Sequence, residues 1–317
     1  MKILVTGACG YKGSVLVPKL IQAGHDVLAL DIMWFGNQLD SNPKLSVIEA
    51  DVRDVSAIPL RGVDAIVHLS SIANDPCGDL NPELTWEVSC LATMQLADKA
   101  AREGIRHFIY ASSGSVYGLK SEPAVTENLE LVPLSAYNKT KMVAERALLS
   151  YRDDMAVQIV RPATVCGLSP RMRLDVAVNL LTMQALRSAE ITVLGGEQIR
   201  PNIHIDDITD LYLFLLEKPE QTGVFNAGFE NLSIAEIANK VAKVTGAKVS
   251  VKASNDPRSY RVNSDKILAA GFRPKKSVDV AISEIVNAYG AGDLTDDERH
   301  YNLRWMQSTV FSHSEAL

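Results

Sequence analysis

The chain of 317 residues carries a formal net charge of −6, and 47% of its residues are hydrophobic. This length fits one large α/β unit or two closely joined domains with a substantial core. The acidic balance argues against a nucleic-acid partner, which needs a basic surface. No apolar run is long enough to span a bilayer, and no basic segment with a long apolar run opens the chain. We therefore expect a cytoplasmic protein without a membrane partner.

The first segment has the pattern of a dinucleotide-binding unit. A β-branched run ends at the glycine-rich TGACGYKG, and helix-spaced apolar residues follow. Small residues at Gly7, Gly10 and Gly13 let the backbone approach a pyrophosphate at the helix N-terminus. A second strand, Val27–Leu30, ends at Asp31, whose carboxylate can bind an adenosine ribose and repel a 2′-phosphate. This order of elements predicts an NAD site.

Strands and helices continue to alternate, which predicts a parallel sheet. The next strands are predicted at Ser46–Ala50, Asp64–Leu69 and His107–Ala111. Polar residues just past such strands lie at the carboxyl edge of the sheet, where ligands bind in doubly wound folds. Asp51 and Val52 are therefore expected to flank the adenine. His68 lies inside an apolar strand, and such a position is more typical of a structural histidine than of a catalytic one.

A tyrosine and a lysine, Tyr137 and Lys141, lie four residues apart in a helical pattern that Ser135 can cap. At that spacing both side chains project from one helix face. A tyrosine with an ordinary pKa of about 10 acts as a base near neutral pH only if a cation stabilises its phenolate. Lys141 is placed to be that cation. The helix follows the strand that ends in SSGSVYG, where Ser113 brings a hydroxyl group to the same sheet edge.

The motifs TGACGYKG, Asp31, HLSS, SSGSVYG, YNKTK and RPATV together resemble the extended short-chain dehydrogenase/reductase family, in particular its nucleotide-sugar epimerases and dehydratases. The resemblance covers residues 1 to about 290. It implies an α/β fold, a Rossmann-type doubly wound parallel sheet with a smaller C-terminal substrate-binding lobe. It also implies that Tyr137 is the acid/base, that Lys141 holds the nicotinamide ribose and that Ser113 hydrogen-bonds the reacting oxygen. The implied NAD-binding residues are Gly7, Gly10, Tyr11, Lys12, Gly13, Asp31, Asp51, Val52, Leu69, Ser70, Ser71, Tyr137, Lys141 and Pro162.

The second half of the chain is less regular, and its interpretation rests on the resemblance. Arg200, in ITVLGGEQIRPNIHIDDI, and Arg258, in DPRSYRVN, match arginines that bind a sugar-nucleotide pyrophosphate in the family. A bidentate guanidinium suits phosphate oxygens. Asn179, in DVAVNLL, matches a substrate-contacting asparagine. With Ser113, these residues are the implied substrate site, and the implied partner is a nucleotide-diphosphate sugar.

The resemblance divides the chain into three parts. The NAD-binding Rossmann domain is expected at 1–165, with a returning segment near 200–228, and the discontinuous nucleotide-sugar-binding lobe at 166–290. The tail, 291–317, lies beyond the resemblance and contains Leu303, Trp305 and Met306. We expect it to dock against the chain's own lobe or against a partner subunit, and we expect a homodimer.

We predict no metal site and no disulfide framework. The cysteines, Cys9, Cys77, Cys90 and Cys166, lack metal-ligand spacing, and buried free thiols are expected. His204, Asp206 and Asp207 superficially suggest a metal site. The helical pattern that follows them favours a helix-capping carboxylate instead.

Two departures from the family pattern bear on the activity. Gly114 and Ser115 stand where the dehydratases carry an aspartate and a glutamate, so a proton donor for the loss of water is missing. Thr164 and Cys166 stand at the family's asparagine and tyrosine positions, which leaves the sugar pocket undefined. The predicted function is an NAD-dependent nucleotide-sugar epimerase that transiently oxidises a sugar carbon, C4. A nucleotide-sugar 4-dehydrogenase or 4-ketoreductase is the alternative; a 4,6-dehydratase, a uronic-acid decarboxylase or a non-catalytic NAD-sensing protein is less favoured.

Overall fold

The computed structural model describes residues 1–253 and 259–311. Its strands, in chain order, are β1 (Lys2–Thr6), β2 (Asp26–Asp31), β3 (Leu45–Glu49), β4 (Ala65–His68), β5 (His107–Ala111), β6 (Ala156–Pro162), β7 (Thr164–Cys166), β8 (Glu190–Leu194), β9 (Ile199–His204), β10 (Gly223–Ala227), β11 (Glu230–Ser233) and β12 (Lys248–Lys252). The strands predicted from the sequence are found at their places, with ends that differ by a residue or two.

The helices are α1 (Gly13–Gln22), α2 (Asp75–Leu80), α3 (Pro82–Trp86), α4 (Ala92–Arg102), α5 (Ala136–Leu149), α6 (Ala177–Ser188), α7 (Ile205–Leu216), α8 (Ile234–Thr245), α9 (Asp265–Ala269), α10 (Val278–Ala291) and α11 (Asn302–Trp305). A π-helical turn, Glu87–Leu91, joins α3 to α4, and a second one, Met306–Val310, follows α11. None of the described helices is both long and apolar enough to cross a membrane.

Seven parallel strands form the central sheet in the order β3-β2-β1-β4-β5-β6-β10. Strands β4 and β5 are buried along their whole length, because helices cover both faces of the sheet. Helices α1 and α7 pack on one face, and α4 and α5 on the other. The predicted doubly wound Rossmann-type fold is therefore confirmed. The strand order reverses between β1 and β4, which opens a ligand crevice at the carboxyl edge.

The second half of the chain adds two small sheets beside the central one. Their strand orders are β11-β9-β7 and β12-β8. Helices α6, α8 and α10 pack against them through a separate apolar cluster that includes Val178, Ile237 and Ile282. The chain then returns to the central sheet, where β10 pairs with β6. This arrangement places the β7–α6 connection and β9 beside the ligand crevice.

The C-terminal part of the chain packs against the central sheet unit. Met306 is 2% exposed and belongs to the apolar cluster on the α4 and α5 face. The Trp305 Nε1 donates a hydrogen bond of 2.7 Å to the carbonyl of Trp34, which follows β2. The Leu174 backbone, in the connection between β7 and α6, also donates a hydrogen bond of 2.8 Å to the His300 carbonyl. The described tail residues therefore dock onto their own chain, on the central sheet unit and on the segment between β7 and α6.

Candidate active site

The glycine-rich loop between β1 and α1 has the close backbone packing that a pyrophosphate site requires. Gly7 has φ +69°, and a Cβ atom there would lie 2.7 Å from the Ser70 amide nitrogen. A Cβ at Gly13 would lie 2.4 Å from the carbonyl oxygens of Gly7 and Ala8. Side chains are therefore excluded, and the N-terminus of α1 remains open to an anionic group. The residues present fit a dinucleotide.

Asp31 ends β2 beside this loop. Its two carboxylate oxygens accept hydrogen bonds from the backbone of Cys9, at 2.9 Å, and of Met33, at 2.8 Å. Burial raises the pKa of Asp31, and these two hydrogen bonds and the nearby Arg171 oppose the rise. A carboxylate has about four acceptor sites, so the two backbone donors leave capacity for ribose hydroxyl groups.

One cleft of about 520 Å³ runs along the carboxyl edge of the sheet. Its size is that of a small-molecule site. All predicted catalytic and cofactor-binding residues line it: Gly7, Gly10, Tyr11, Lys12, Gly13, Asp31, Asp51, Val52, Leu69, Ser70, Ser71, Ser113, Tyr137, Lys141 and Pro162. The structure thus brings together residues that are scattered over the first half of the sequence.

The catalytic candidates lie where α5 meets the end of β5. Ser135 caps α5 by accepting a hydrogen bond of 3.1 Å from the Asn138 backbone, which sets Tyr137 and Lys141 in the first turns. The Lys141 Nζ donates a hydrogen bond of 2.8 Å to the Ala111 carbonyl and lies 5.9 Å from the centre of the Tyr137 ring. One helix face therefore presents both side chains to the cleft, as the spacing predicts.

The surroundings of Tyr137 shift its pKa in both directions. Burial raises the pKa of Tyr137 to about 12, although a hydrogen bond with Ser113 and the charge of Arg173 oppose the rise. Burial and the charge of Lys12 lower the pKa of Lys141 well below its usual range. Burial therefore dominates the pKa of Tyr137, and the lowering of that pKa by Lys141 stays a prediction.

Several charged residues that line the cleft were not predicted from the sequence, among them Arg171, Arg173 and Asp175. The Arg173 guanidinium forms a bidentate pair with Asp175, at 2.9 and 3.1 Å. Lys12 faces the same region: burial and the charge of Arg173 lower the pKa of Lys12 to about 8. The signal in the sequence is the charged run RMRLD soon after RPATV. Its loop position gives no periodicity by which to orient these side chains.

The residues predicted to bind the substrate differ in where they lie relative to the cleft. Arg200, on β9, lines the cleft. Asn179, on α6, does not: it is fully buried, and its amide accepts from the Gly167 backbone at 3.0 Å and donates to the Tyr11 hydroxyl group at 3.1 Å. The structure thus corrects the placement of Asn179, which holds a loop rather than facing a ligand. Arg258 lies outside the described residues.

Asp51 lines the cleft at the end of β3, but its carboxylate is already engaged. It accepts hydrogen bonds from the Arg53 backbone, at 2.8 Å, and from the Arg53 Nε, at 2.9 Å. The charge of Asp51 is therefore already paired, and its predicted position beside the adenine stays a prediction.

The group His204, Asp206 and Glu284 is the one set of potential metal ligands found within the described residues. The Lys276 ammonium lies 2.5 Å from Asp206 and 2.6 Å from Glu284, and the Lys19 ammonium lies 2.9 Å from Asp206, so side-chain cations already pair with both carboxylates. The α7 cap is the His204 imidazole, which accepts from the Asp206 backbone at 3.0 Å. The expected capping carboxylate is therefore wrong, since the preceding histidine fills that role.

His68 and the four cysteines are structural. The His68 ring lies between Thr6, at 2.6 Å, and Thr93, at 2.9 Å, and burial lowers the pKa of His68 to about 3. The cysteines are buried and unpaired, as expected. His68 is thus held inside the sheet, and Cys9 lines the cleft as a buried thiol.

The fold and the cleft define a dinucleotide-binding enzyme. The chain matches the "NAD dependent epimerase/dehydratase family" over residues 3–228 and belongs to that family. NAD as the cofactor agrees with this membership.

Relatives and solved structures align with most of the chain. A UDP-glucose 4-epimerase of Lactobacillus helveticus is 26% identical over 89% of this chain and 95% of its own. An uncharacterized UDP-glucose epimerase of Bacillus subtilis, YtcB, is 31% identical over 80% and 85%. Among solved structures, a UDP-glucuronic acid 4-epimerase from Bacillus cereus in complex with UDP-glucuronic acid and NAD has a TM-score of 0.78 at 28% identity. That alignment covers 91% of this chain and all of the other.

Proposed function

We propose that this protein is an NAD-dependent nucleotide-sugar epimerase that acts by transient oxidation at C4 of the sugar. The observation that carries the proposal is the convergence of Ser113, Tyr137 and Lys141 on one cleft with the glycine-rich loop. These groups suit proton transfer at a carbinol oxygen next to a bound dinucleotide. The relatives named above support C4 as the carbon.

The residues of the chain have distinct roles in this proposal. When bound, NAD takes a hydride from the sugar carbon and returns it, and its oxidised ring carries a positive charge that favours a phenolate. Tyr137 accepts the hydroxyl proton and later gives it back. Ser113 holds the reacting oxygen, and its hydrogen bond with Tyr137 already favours the ionised form. Lys141, fixed by the Ala111 carbonyl, holds the nicotinamide ribose.

The remaining proposals concern the substrate and the assembly. Arg200 is proposed to bind the sugar-nucleotide pyrophosphate, with support from its place in the cleft wall, and Arg258 is proposed for the same role from its motif. We also propose the division into a Rossmann domain at 1–165 with a return near 200–228, a sugar lobe at 166–290 and a tail. A cytoplasmic homodimer remains a prediction that sedimentation and localisation can test.

The surroundings of Gly114 support an epimerase over a 4,6-dehydratase. A Cβ atom at Gly114 would lie 3.1 Å from the Pro162 carbonyl oxygen and 3.5 Å from the Tyr260 hydroxyl group. A side chain at this position would therefore need the Pro162 carbonyl to shift by a few tenths of an ångström. The Ser115 hydroxyl group lies 2.6 Å from the Ser113 hydroxyl group. A small neutral side chain therefore stands at a position where the dehydratases carry an acidic one. Elimination of water needs an acid that neither residue supplies.

The test is incubation of the purified protein with UDP-, GDP-, CDP- and dTDP-sugars, followed by mass spectrometry and NMR. An epimerase gives a product of unchanged mass with an inverted centre at C4. Loss of two hydrogens would show a 4-dehydrogenase, and reduction of a supplied 4-keto sugar would show a ketoreductase. Loss of water or of carbon dioxide would contradict the proposal, as would the absence of turnover with every sugar.

A further inference from the structure

The segment Glu298–Phe311, which we call the C-terminal strap, forms part of the wall of the cleft. It lies outside the family-matched residues 3–228. Its Asn302 lines the same cleft as Asp31, Trp34 and Phe35. Because Asp31 marks the ribose end of the proposed NAD site, the strap lies at the adenosine half of the cleft.

The strap is attached to both sides of that half. Its Trp305 Nε1 donates 2.7 Å to the Trp34 carbonyl, in the loop after β2. Its His300 carbonyl accepts a hydrogen bond of 2.8 Å from the Leu174 backbone, in the connection between β7 and α6. The buried Met306 anchors the strap in the core. The strap therefore bridges two walls that are distant in sequence.

Arg171 links the strap to the cleft. This arginine is 4% exposed, its guanidinium carbon lies 3.8 Å from the centre of the Phe35 ring, and its NH2 group donates 2.6 Å to the Asn302 Oδ1. The buried Arg171 Nε has no hydrogen-bond partner in residues 1–253 and 259–311. A buried donor without an acceptor is costly, so a ligand oxygen at this position would stabilise it.

Asn302 also presents a donor. A guanidinium only donates, so the Oδ1 of Asn302 must face Arg171 and the amide Nδ2 must point elsewhere. That Nδ2 makes no hydrogen bond within the described part of the chain, although Asn302 itself is 4% exposed. Burial and Arg173 lower the pKa of Arg171, and Asp175 and Asp31 oppose the shift. Charge and hydrogen-bond capacity thus remain for an acceptor-rich ligand next to Asp31.

We propose that Arg171 and Asn302 bind the adenosine diphosphate half of the dinucleotide and that the C-terminal strap retains the cofactor by closing that half. The ligand groups are phosphate or ribose oxygens, which accept hydrogen bonds. This inference rests on the proposed NAD site. It adds residues that neither the glycine-rich loop nor the catalytic motif contains.

The test measures binding of NAD, ADP-ribose and nicotinamide mononucleotide by calorimetry, with NAD release followed by stopped-flow fluorescence. In Asn302→Asp, the acceptor for Arg171 stays while the amide donor is replaced by a negative charge. In Trp305→Phe, the ring stays while the bond to Trp34 is lost. We expect both variants to bind NAD and ADP-ribose roughly tenfold more weakly, mainly through faster release, with nicotinamide mononucleotide unaffected.

The matched control is Tyr301→Phe, which removes a hydrogen bond to Asp296 within the same region but away from the cleft. It should bind all three ligands as the wild type does. Unchanged NAD affinity in Asn302→Asp would overturn the strap proposal while leaving the NAD site intact. Equal weakening of NAD, ADP-ribose and nicotinamide mononucleotide would also overturn the strap proposal, because the substitution would then affect the whole cleft and not its adenosine half. Failure of the wild type to bind NAD would overturn the proposed function as well.

Discussion

Two successive turns of α5 carry charged side chains in opposite electrostatic situations. Lys141 faces the cleft and contacts a neutral carbonyl, and the nearby Lys12 has no side-chain partner among the described residues. One turn later, Glu145 pairs with Arg161 at 2.6 Å, and both side chains are at most 5% exposed. In this helix, the turn behind the cleft holds a carboxylate that is neutralised by a buried arginine. The turn that faces the cleft holds a lysine that forms no ion pair among the described residues.

The largest expected effect is on the cleft side. In Tyr137→Phe the acid/base is lost while the ring stays, so turnover should fall on the order of 10³-fold. The free energy of unfolding should remain close to that of the wild type, because the hydroxyl group has no structural partner other than Ser113 within the described residues. NMR detection of the epimer, together with urea denaturation, measures both quantities.

The matched control is Tyr117→Phe, behind the cleft. The Tyr117 hydroxyl group donates 2.7 Å to Asn226 and accepts 2.8 Å from Arg161. Its removal should lower stability by roughly 1–3 kcal/mol with little change in turnover. Turnover at the wild-type rate in Tyr137→Phe would contradict the assignment of Tyr137 as the acid/base.

The next effect should be purely structural. In Arg161→Met the buried Glu145 carboxylate loses its counter-ion, and the free energy of unfolding should fall by about 3–5 kcal/mol. The double variant Arg161→Met with Glu145→Leu should recover much of that loss, since both charges are then removed. Urea denaturation of the single and double variants measures this difference. If the free energy of unfolding of the single variant fell by less than about 1 kcal/mol, the Arg161–Glu145 pair would not be a major source of stability in this part of α5.

The smallest effect should come from a half-buried charge cluster. Burial opposes the shift, but hydrogen bonds from Lys276 and Lys19 outweigh it and hold the pKa of Asp206 at about 2. Its stabilisation is therefore present above the ordinary aspartate pKa and is lost as the pH falls through about 2. Asp206→Asn should cost about 1–2 kcal/mol at pH 7 and flatten the acid limb of the stability profile. Thermal melts from pH 2 to pH 7 check this; parallel profiles for both proteins would contradict it.

The sequence predicts the features that depend on local spacing. The Tyr137 and Lys141 pair needs only one helix, and the glycine-rich loop followed by Asp31 needs only one strand-turn-helix-strand unit. The placement of Asn179 could not be predicted, because a helical position does not reveal whether its face is turned to a ligand or to a neighbouring loop. Arg171 was missed because its partner Asn302 lies 131 residues away. Such a contact is set by tertiary packing, which no local pattern encodes.

The hydrogen bond between Trp305 and Trp34 spans 271 residues. Translation runs from the N-terminus, so the glycine-rich loop, Asp31 and the catalytic helix all exist before the ribosome reaches Asn302, the last residue of the cleft wall. Domains can fold during synthesis, so the sheet can form early. A nascent chain would then have an open adenosine half from which the dinucleotide exchanges freely. Tight retention would begin only after these late residues emerge and dock.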